Sequence, residues 1–215
     1  MRHKKPHHLL FNKIAYFYGF FYNRQKRSFE AAIRNAMPMF DITRFQSVLD
    51  IGSGTGALCS VLKQFGLEAQ GIEPAERMRN VANEKTKGLE INFMDGNVLE
   101  GLPFEDRSFD LVIASYVAHG LSLDKRKVMY QEMQRLAKEY VIFHDFNQNR
   151  SLTISFIEWL EGSDYFRFIK TARSEFTECK IGLEKCFEEV IEVKVAPQAS
   201  WYICKVKRGT DENMD

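Results

Sequence analysis

The stretch Val48-Leu49-Asp50-Ile51-Gly52-Ser53-Gly54-Thr55-Gly56 constrains this chain more than any other. A short apolar run ending in three spaced glycines reads as a buried strand that delivers the chain into a tight turn, where a ligand can approach the backbone closely. Leu58, Val61, Leu62 and Phe65 follow at helical spacing, and Gly66 stops them. The unit is therefore strand, glycine turn, helix. Ala69 to Glu73 reads as the next strand. Pro74 suits a first helical position, with Met78, Val81 and Ala82 on one face. Leu89, Ile91 and Phe93 alternate as a third strand. Phe109 to Ala114 is continuously apolar, as a central parallel strand buried on both faces should be. Met129, Met133, Leu136 and Tyr140 mark a helix face, and Tyr140 to Phe143 gives a fifth strand. This alternation predicts an α/β fold, a doubly wound and mostly parallel sheet with helices on both faces.

The tail departs from that rhythm. Leu152 to Leu160 and Phe166 to Cys179 read as helical. Val190 to Val195 and Trp201 to Val206 read as two strands joined by Ala196-Pro197-Gln198-Ala199-Ser200, too few residues for a parallel crossover, so the pair is antiparallel.

Composition sets the outer bounds. A chain of 215 residues with 45% hydrophobic content can bury a core without disulfides or metal. Its net charge of +1 excludes a disordered polyelectrolyte. The cysteines at 59, 179, 186 and 204 form no C-x-x-C pair and no zinc spacing, which suits reduced thiols in a cytoplasmic protein. No apolar run reaches the roughly 18 residues of a membrane span, and no secretory pattern follows the basic start. Residues 1–27 carry seven Lys/Arg and no acid, leaving 23 basic against 29 acidic residues in the rest. Such a leader can contact RNA or an anionic membrane surface. The preferred reading is a helical lid whose cations are solvated.

The glycine loop admits two ligand classes. Gly52, Gly54 and Ala57 satisfy a relaxed dinucleotide fingerprint. Glu73, after the second strand, can accept both hydrogen bonds from a ribose diol, or serve as a helix-start acid. Neither feature discriminates. Asp50 does, because an acid two positions before the glycines repels a pyrophosphate and suits a cationic ligand without phosphate. Asp95-Gly96 follows the third strand, where an adenine amine wants an acceptor, although Asp-Gly is also an ordinary turn. Leu102-Pro103-Phe104-Glu105-Asp106-Arg107-Ser108-Phe109-Asp110-Leu111-Val112 leads into the fourth strand.

Through VLDIGSGTG (48–56), GIEP (71–74), DGNVLEGLPFEDRSFDLVIAS (95–115) and the YVAHGL that follows, the chain resembles the class I S-adenosylmethionine-dependent methyltransferases. It is similar to the type 11-like subgroup, which includes methyltransferases of ubiquinone and menaquinone synthesis. The resemblance covers about residues 45–145. It implies a Rossmann-like, seven-stranded, mostly parallel sheet with an antiparallel last strand. It implies S-adenosyl-L-methionine as cofactor and S-adenosyl-L-homocysteine as product. The organisation expected is a basic, aromatic helical lid over 1–44, a cofactor-binding domain over 45–208 with a helical substrate-side insertion at 147–185, and a frayed tail at 209–215. Asp50, Gly52, Ser53, Gly54 and Gly56 would line the methionine part. Glu73 would hold the ribose, with Pro74 and Met78 nearby. Asp95 would meet the adenine amine, flanked by Gly96 and Asn97. Ser115 would sit under the cofactor, and Tyr116 would face the substrate.

The sulfonium is already an activated methyl donor, so alignment and exclusion of water carry much of the work. A base is needed where the acceptor must lose a proton. His119 can be that base or a cap. Asp145, in His144-Asp145-Phe146-Asn147 at the end of the fifth strand, can orient a substrate or cap the next segment. Tyr16, Tyr18 and Tyr22 can close over the site with His144, or simply pack. Phe156, Trp159, Tyr165 and Phe166 suggest an apolar or aromatic acceptor. After the fourth strand the chain reads Ala-Ser-Tyr-Val, not the Asn/Asp-Pro-Pro-Tyr of enzymes that methylate amide or nucleobase nitrogens. The reading is methyl transfer to a small molecule. The alternatives are a tRNA or rRNA methyltransferase using the basic leader, and a non-catalytic S-adenosylmethionine-binding protein. A nicotinamide-dependent oxidoreductase is disfavoured by Asp50 and by the lack of a Tyr-x-x-x-Lys pair. No metal is expected.

Overall fold

The structure, a computed structural model, describes residues 15, 18–149, 168, 170 and 187–207. Tyr16, Phe156, Trp159, Tyr165, Phe166 and the tail at 209–215 lie outside these, as do most of the basic leader and the two expected helices between 152 and 179. The elements are α1 (Tyr22–Ala36), β1 (Ser47–Ile51), α2 (Ala57–Gln64), β2 (Glu68–Ile72), α3 (Glu76–Lys85), β3 (Asn92–Met94), β4 (Phe109–Ser115), α4 (Leu123–Leu136), β5 (Ala137–Phe146), β6 (Phe187–Ala196) and β7 (Ala199–Val206).

Seven strands form one sheet in the order β3-β2-β1-β4-β5-β7-β6. β1 to β5 pair in parallel, and β7 runs antiparallel to both β5 and β6. The fold is thus the Rossmann-like, mostly parallel sheet that the alternation predicts. Successive strand residues point to opposite faces, and both faces are buried. Leu49, Val112, Val141, Phe143 and Tyr202 join Met129, Tyr130 and Met133 of α4 in one core. Val48, Leu111, Ile113, Ile142 and Trp201 join Leu58 and Leu62 of α2 in the other. Helix α1 belongs to that second core through Ala32, Ile33 and Ala36. It is also tied down by polar contacts: Tyr22 to the Ser60 hydroxyl, Gln25 to Thr55, and Asn35 to the Val195 carbonyl at 2.9 Å.

Three local readings need correction. The third strand is shorter than Leu89–Phe93 suggests, because Leu89 donates to the Thr86 carbonyl and Glu90 takes a positive φ, so residues 89 and 90 finish a turn. Tyr140 is not on the helix face of Met129 and Met133. α4 ends at Leu136 and β5 starts at once, leaving Tyr140 to pack on Phe40 and Phe45 under the Arg44 guanidinium. Pro74 precedes the helix start, since Ala75 is the cap residue of α3.

Phe93 shows how the sheet and the glycine loop are fitted to one another. A Cβ on Gly71, in register with Phe93, would lie 2.5 Å from that ring and 2.6 Å from Ser53 Oγ. A Cβ on Gly56 would lie 2.6 Å from the same ring. Gly71→Ala should therefore lower stability by about 1–3 kcal/mol in urea denaturation, and Phe93→Leu in the same chain should recover part of that loss.

Candidate active site

The strand order reverses between β1 and β4, and the loop after β1 opens at that switch point. Gly52, Gly54 and Gly56 have φ of 70°, 52° and 74°, which a side chain would strain. The neighbouring strand end holds the loop. The Ile72 carbonyl accepts from the Gly52 and Ser53 amides at 2.8 and 3.0 Å. The Glu73 carboxylate accepts from the Gly54 amide at 3.0 Å and the Ala75 amide at 2.9 Å. A Cβ on Gly52 would lie 2.7 Å from Val117, so the exit of β4 presses on the loop. Beside Gly54 there is room, its nearest neighbour being the Gly52 carbonyl at 4.0 Å.

Asp50 lies fully buried beneath this loop. The Cys59 thiol of α2 donates to its Oδ2 at 3.4 Å, while Oδ1 has no partner among the described residues. Burial pushes its carboxyl up to about 8, against the thiol hydrogen bond and with the Glu73 charge adding to the rise. Glu73 is raised too, by burial first, with its two amide donors pulling the other way. Asp95 is exposed at the end of β3. Arg79 of α3 binds its carboxylate at 2.8 Å and the Glu73 carbonyl at 2.6 Å. Gly96 fits because a Cβ there would lie 2.9 Å from Leu102. Asn97 spends its side chain locally, accepting from the Leu99 amide and donating to Glu100. Met78 is buried against Ala75 with Tyr18 packed beside them, while Pro74 is exposed. Tyr22 is buried at its contact with Ser60.

The ends of β4 and β5 build the other half. Ser115 ends β4, its hydroxyl buried without a partner among the described residues. Tyr116 takes a φ of 58°, donates its amide to the His144 carbonyl, and is 37% exposed. Burial and the Asp145 charge raise its phenol above the ordinary tyrosine value. A short helical turn at Ala118–Gly120 then carries His119 to Asp145: Nδ1 lies 2.8 Å from Oδ1, and the His119 amide donates to Oδ2 at 3.2 Å. The Phe146 amide also donates to Asp145. Where His119 donates to Asp145 through Nδ1, a neutral imidazole carries its proton there and its acceptor nitrogen is Nε2. Phe146 and Phe168 frame the His119 ring at 4.8 and 6.4 Å. His144 is buried between Phe29, Tyr116 and Trp201, and burial drives its imidazole down to about 4 against the pull of Asp145.

The structure therefore brings Asp50, the glycine loop, Glu73, Ser115 and Tyr116 to one edge of the sheet, and joins His119 to Asp145 as a pair. Arg79, Cys59, Phe29 and Trp201 are additions that no spacing in the sequence announces, because each arrives from a different element. Among the described residues no helix is long and apolar enough to cross a membrane, and no cluster of His, Cys, Asp and Glu could hold a metal.

Residues 48–140 match the family model of a methyltransferase domain. An uncharacterized methyltransferase of Alkaliphilus oremlandii is 40% identical over 78 residues, 36% of this chain and 34% of the relative. The chain spans between 34% and 61% of the length of the first two curated relatives it matches. A solved structure from Methanococcus maripaludis, described as an S-adenosyl-L-methionine-dependent methyltransferase, superposes with a TM-score of 0.70 at 18% identity, covering 98% of this chain and 99% of that one. Magnesium protoporphyrin IX methyltransferase from Synechocystis, solved with bound SAH, superposes at 0.60 and 15% identity over 85% of this chain and 83% of that one. These two likenesses are of fold. Residues 48–140 are thus similar to a methyltransferase domain, and the sheet shares its fold with solved methyltransferases.

Asp50 and His144 act on stability with opposite signs. Asp50 keeps its proton in the folded state up to about 8, whereas the unfolded chain loses it near 3.8, so its contribution falls as pH rises between them. His144 takes up its proton near 6.5 when unfolded and only near 4 when folded, so its contribution falls as pH falls through that window. In urea titrations Asp50→Asn should gain on the parent chain as pH rises from 5 to about 8, and His144→Phe should gain as pH falls from 6.5 to about 4.

Proposed function

We propose that this chain transfers a methyl group from S-adenosyl-L-methionine to a small-molecule acceptor and releases S-adenosyl-L-homocysteine. The observation that carries the reading is the buried, half-partnered Asp50 carboxylate beneath a glycine loop at the switch point. An acid there suits a ligand with an ammonium group and no phosphate. Asp50 Oδ1 and Ser53 Oγ are both buried without partners among the described residues, and such atoms call for a bound polar ligand or water.

In this assignment Asp50 and the loop Gly52–Gly56 take the amino-acid end of the cofactor, and Ser115 lies under it. Glu73 uses two acceptor positions on the Gly54 and Ala75 amides and keeps others for the ribose hydroxyls. Asp95, held by Arg79, faces the adenine amine beside Gly96 and Asn97, with Met78 and Pro74 along the ribose side. The bound sulfonium supplies an activated methyl group. His119 accepts the acceptor's proton at Nε2, and Asp145 stabilises the imidazolium through Nδ1–H. Tyr116, Phe146 and Phe168 limit water around that imidazole. These aromatic walls favour a small flat acceptor over a nucleic acid, and cytoplasmic action fits the reduced thiols Cys59 and Cys204.

Calorimetry of the full chain should show micromolar binding of S-adenosylmethionine and S-adenosylhomocysteine but not NADH. Asp50→Ala and Glu73→Ala should each abolish it. A cationic ligand favours ionised Asp50, so binding near pH 7 should release a proton, seen as a binding enthalpy that varies with the buffer. With an acceptor found by radiolabel screening, His119→Asn should leave cofactor affinity intact and slow transfer by about 10²–10⁴-fold. Binding without transfer to any acceptor would mark a cofactor-binding protein instead. Transfer to RNA with a steep salt dependence would mark an RNA enzyme.

A further inference from the structure

Three strands place one residue each in a row at the carboxyl edge of the sheet. Ser115 is in register with His144 across β4 and β5, and His144 with Trp201 across β5 and β7. Residues in register share a face. This face is the one beneath α1, because Ile113, Ile142 and Ile203, two positions along the same strands, lie in the core shared with Ile33. Phe29 of α1 stands 5.6 Å from the His144 ring, and Trp201 stands 6.2 Å from it. His144 and Trp201 are each 1% exposed. Ser115 Oγ, His144 Nδ1 and Trp201 Nε1 are all buried, and none has a hydrogen-bond partner among the described residues. Buried polar atoms are rarely left unpaired, and three neighbours in one row mark a place built to hold something.

The donor set defines what fits. An indole N–H only donates, so the atom facing Trp201 must accept. A neutral imidazole offers one donor and one acceptor, and a serine hydroxyl turns either way. The row holds no cation to balance an anion, and the half-partnered Asp50 carboxyl lies on the same face of the sheet. Around the row stand the Phe29, Tyr116 and Trp201 rings. Tyr116 is the exposed member of that wall.

We infer that the Ser115–His144–Trp201 row is a recognition site for an uncharged oxygen of the methyl acceptor, a carbonyl or hydroxyl on a flat apolar body. The site rests on the methyltransferase reading above and names the substrate class that reading leaves open. It lies on the opposite face of β5 from the His119–Asp145 pair. An acceptor oxygen held there is recognised by the row, while a second, proton-bearing group can reach the base past Tyr116.

The test uses the indole signal. The chain has two tryptophans, Trp159 and Trp201, so a ¹⁵N spectrum shows two indole N–H peaks, assigned with Trp201→Phe. The full chain is saturated with S-adenosylhomocysteine, whose own binding is measured by calorimetry. Acetophenone is then titrated in, with α-methylstyrene, which replaces the carbonyl by a CH₂ of the same shape, as control. The inference predicts a saturable downfield shift of the Trp201 N–H with acetophenone, no such shift with α-methylstyrene, and about tenfold weaker acetophenone binding in Trp201→Phe. An unmoved Trp201 peak with a persistent water cross-peak, or equal shifts with both probes, overturns it. If S-adenosylhomocysteine binds and Trp201 does not respond, the row alone has been misread. If S-adenosylhomocysteine does not bind, the methyltransferase reading itself fails.

Discussion

Two acceptors at the end of β2, the Ile72 carbonyl and the Glu73 carboxylate, hold the loop after β1 in its working shape. Between them they take up the amides of Gly52, Ser53 and Gly54. A loop of three left-handed glycines is entropically costly and has no side-chain packing of its own. Its conformation is set from outside, by the strand beside it. That dependence explains why the loop, the β2 turn and α3 behave as one unit. The same carboxylate reaches the Ala75 amide that opens α3, and Arg79 of α3 reaches back to the Glu73 carbonyl and across to Asp95. The geometry of the loop, the β2 turn and the start of α3 is thereby fixed by contacts within the chain.

The same edge of the sheet carries costs that the core does not need. Asp50 is buried with only a thiol for company, and His144 is held neutral among rings. A hydrophobic pair at those positions would make a better core. Buried polar groups of this kind call for a ligand or water to complete them, and Asp50 lies on β1 beside the switch point where ligands of such sheets bind. The contrast with Asp145 is instructive. It is as deeply buried but accepts three hydrogen bonds, two from His119 and one from the Phe146 amide. It is a finished site, whereas Asp50 is an open one.

Much of the architecture was legible in the sequence because apolar strands and helical periods leave different marks. Val48–Ile51 and Phe109–Ala114 could hardly be anything but central strands. The five-residue connection read at 196–200 dictated an antiparallel pair, and in the structure it tightens to Pro197-Gln198. Errors arose where one residue served two patterns. Tyr140 continues the spacing of α4, yet β5 claims it through packing on Phe40 and Phe45. The candidate site was legible only where its residues sit in local motifs, as Asp50, Glu73 and Asp95 do. His119 and Asp145 are 26 positions apart, and nothing in either segment announces that they meet. Trp201 was visible merely as a strand residue, since register across β5 and β7 is a property of the folded sheet.

Strand alternation has a further consequence for the chemistry. Along β5, Asp145 shares a face with Phe143 and α4, while His144 shares one with Ile142 and α1. Two adjacent residues thus serve two compartments, one holding the His119–Asp145 pair and one holding buried polar atoms without partners among the described residues. Tyr116, in a left-handed conformation with its N–H donating a hydrogen bond to the His144 carbonyl, places its ring 6.5 Å from His119 and 4.8 Å from His144. The backbone strain at that residue is the means by which one ring borders both compartments. A relaxed residue at the end of β4 would continue the strand and face one side alone.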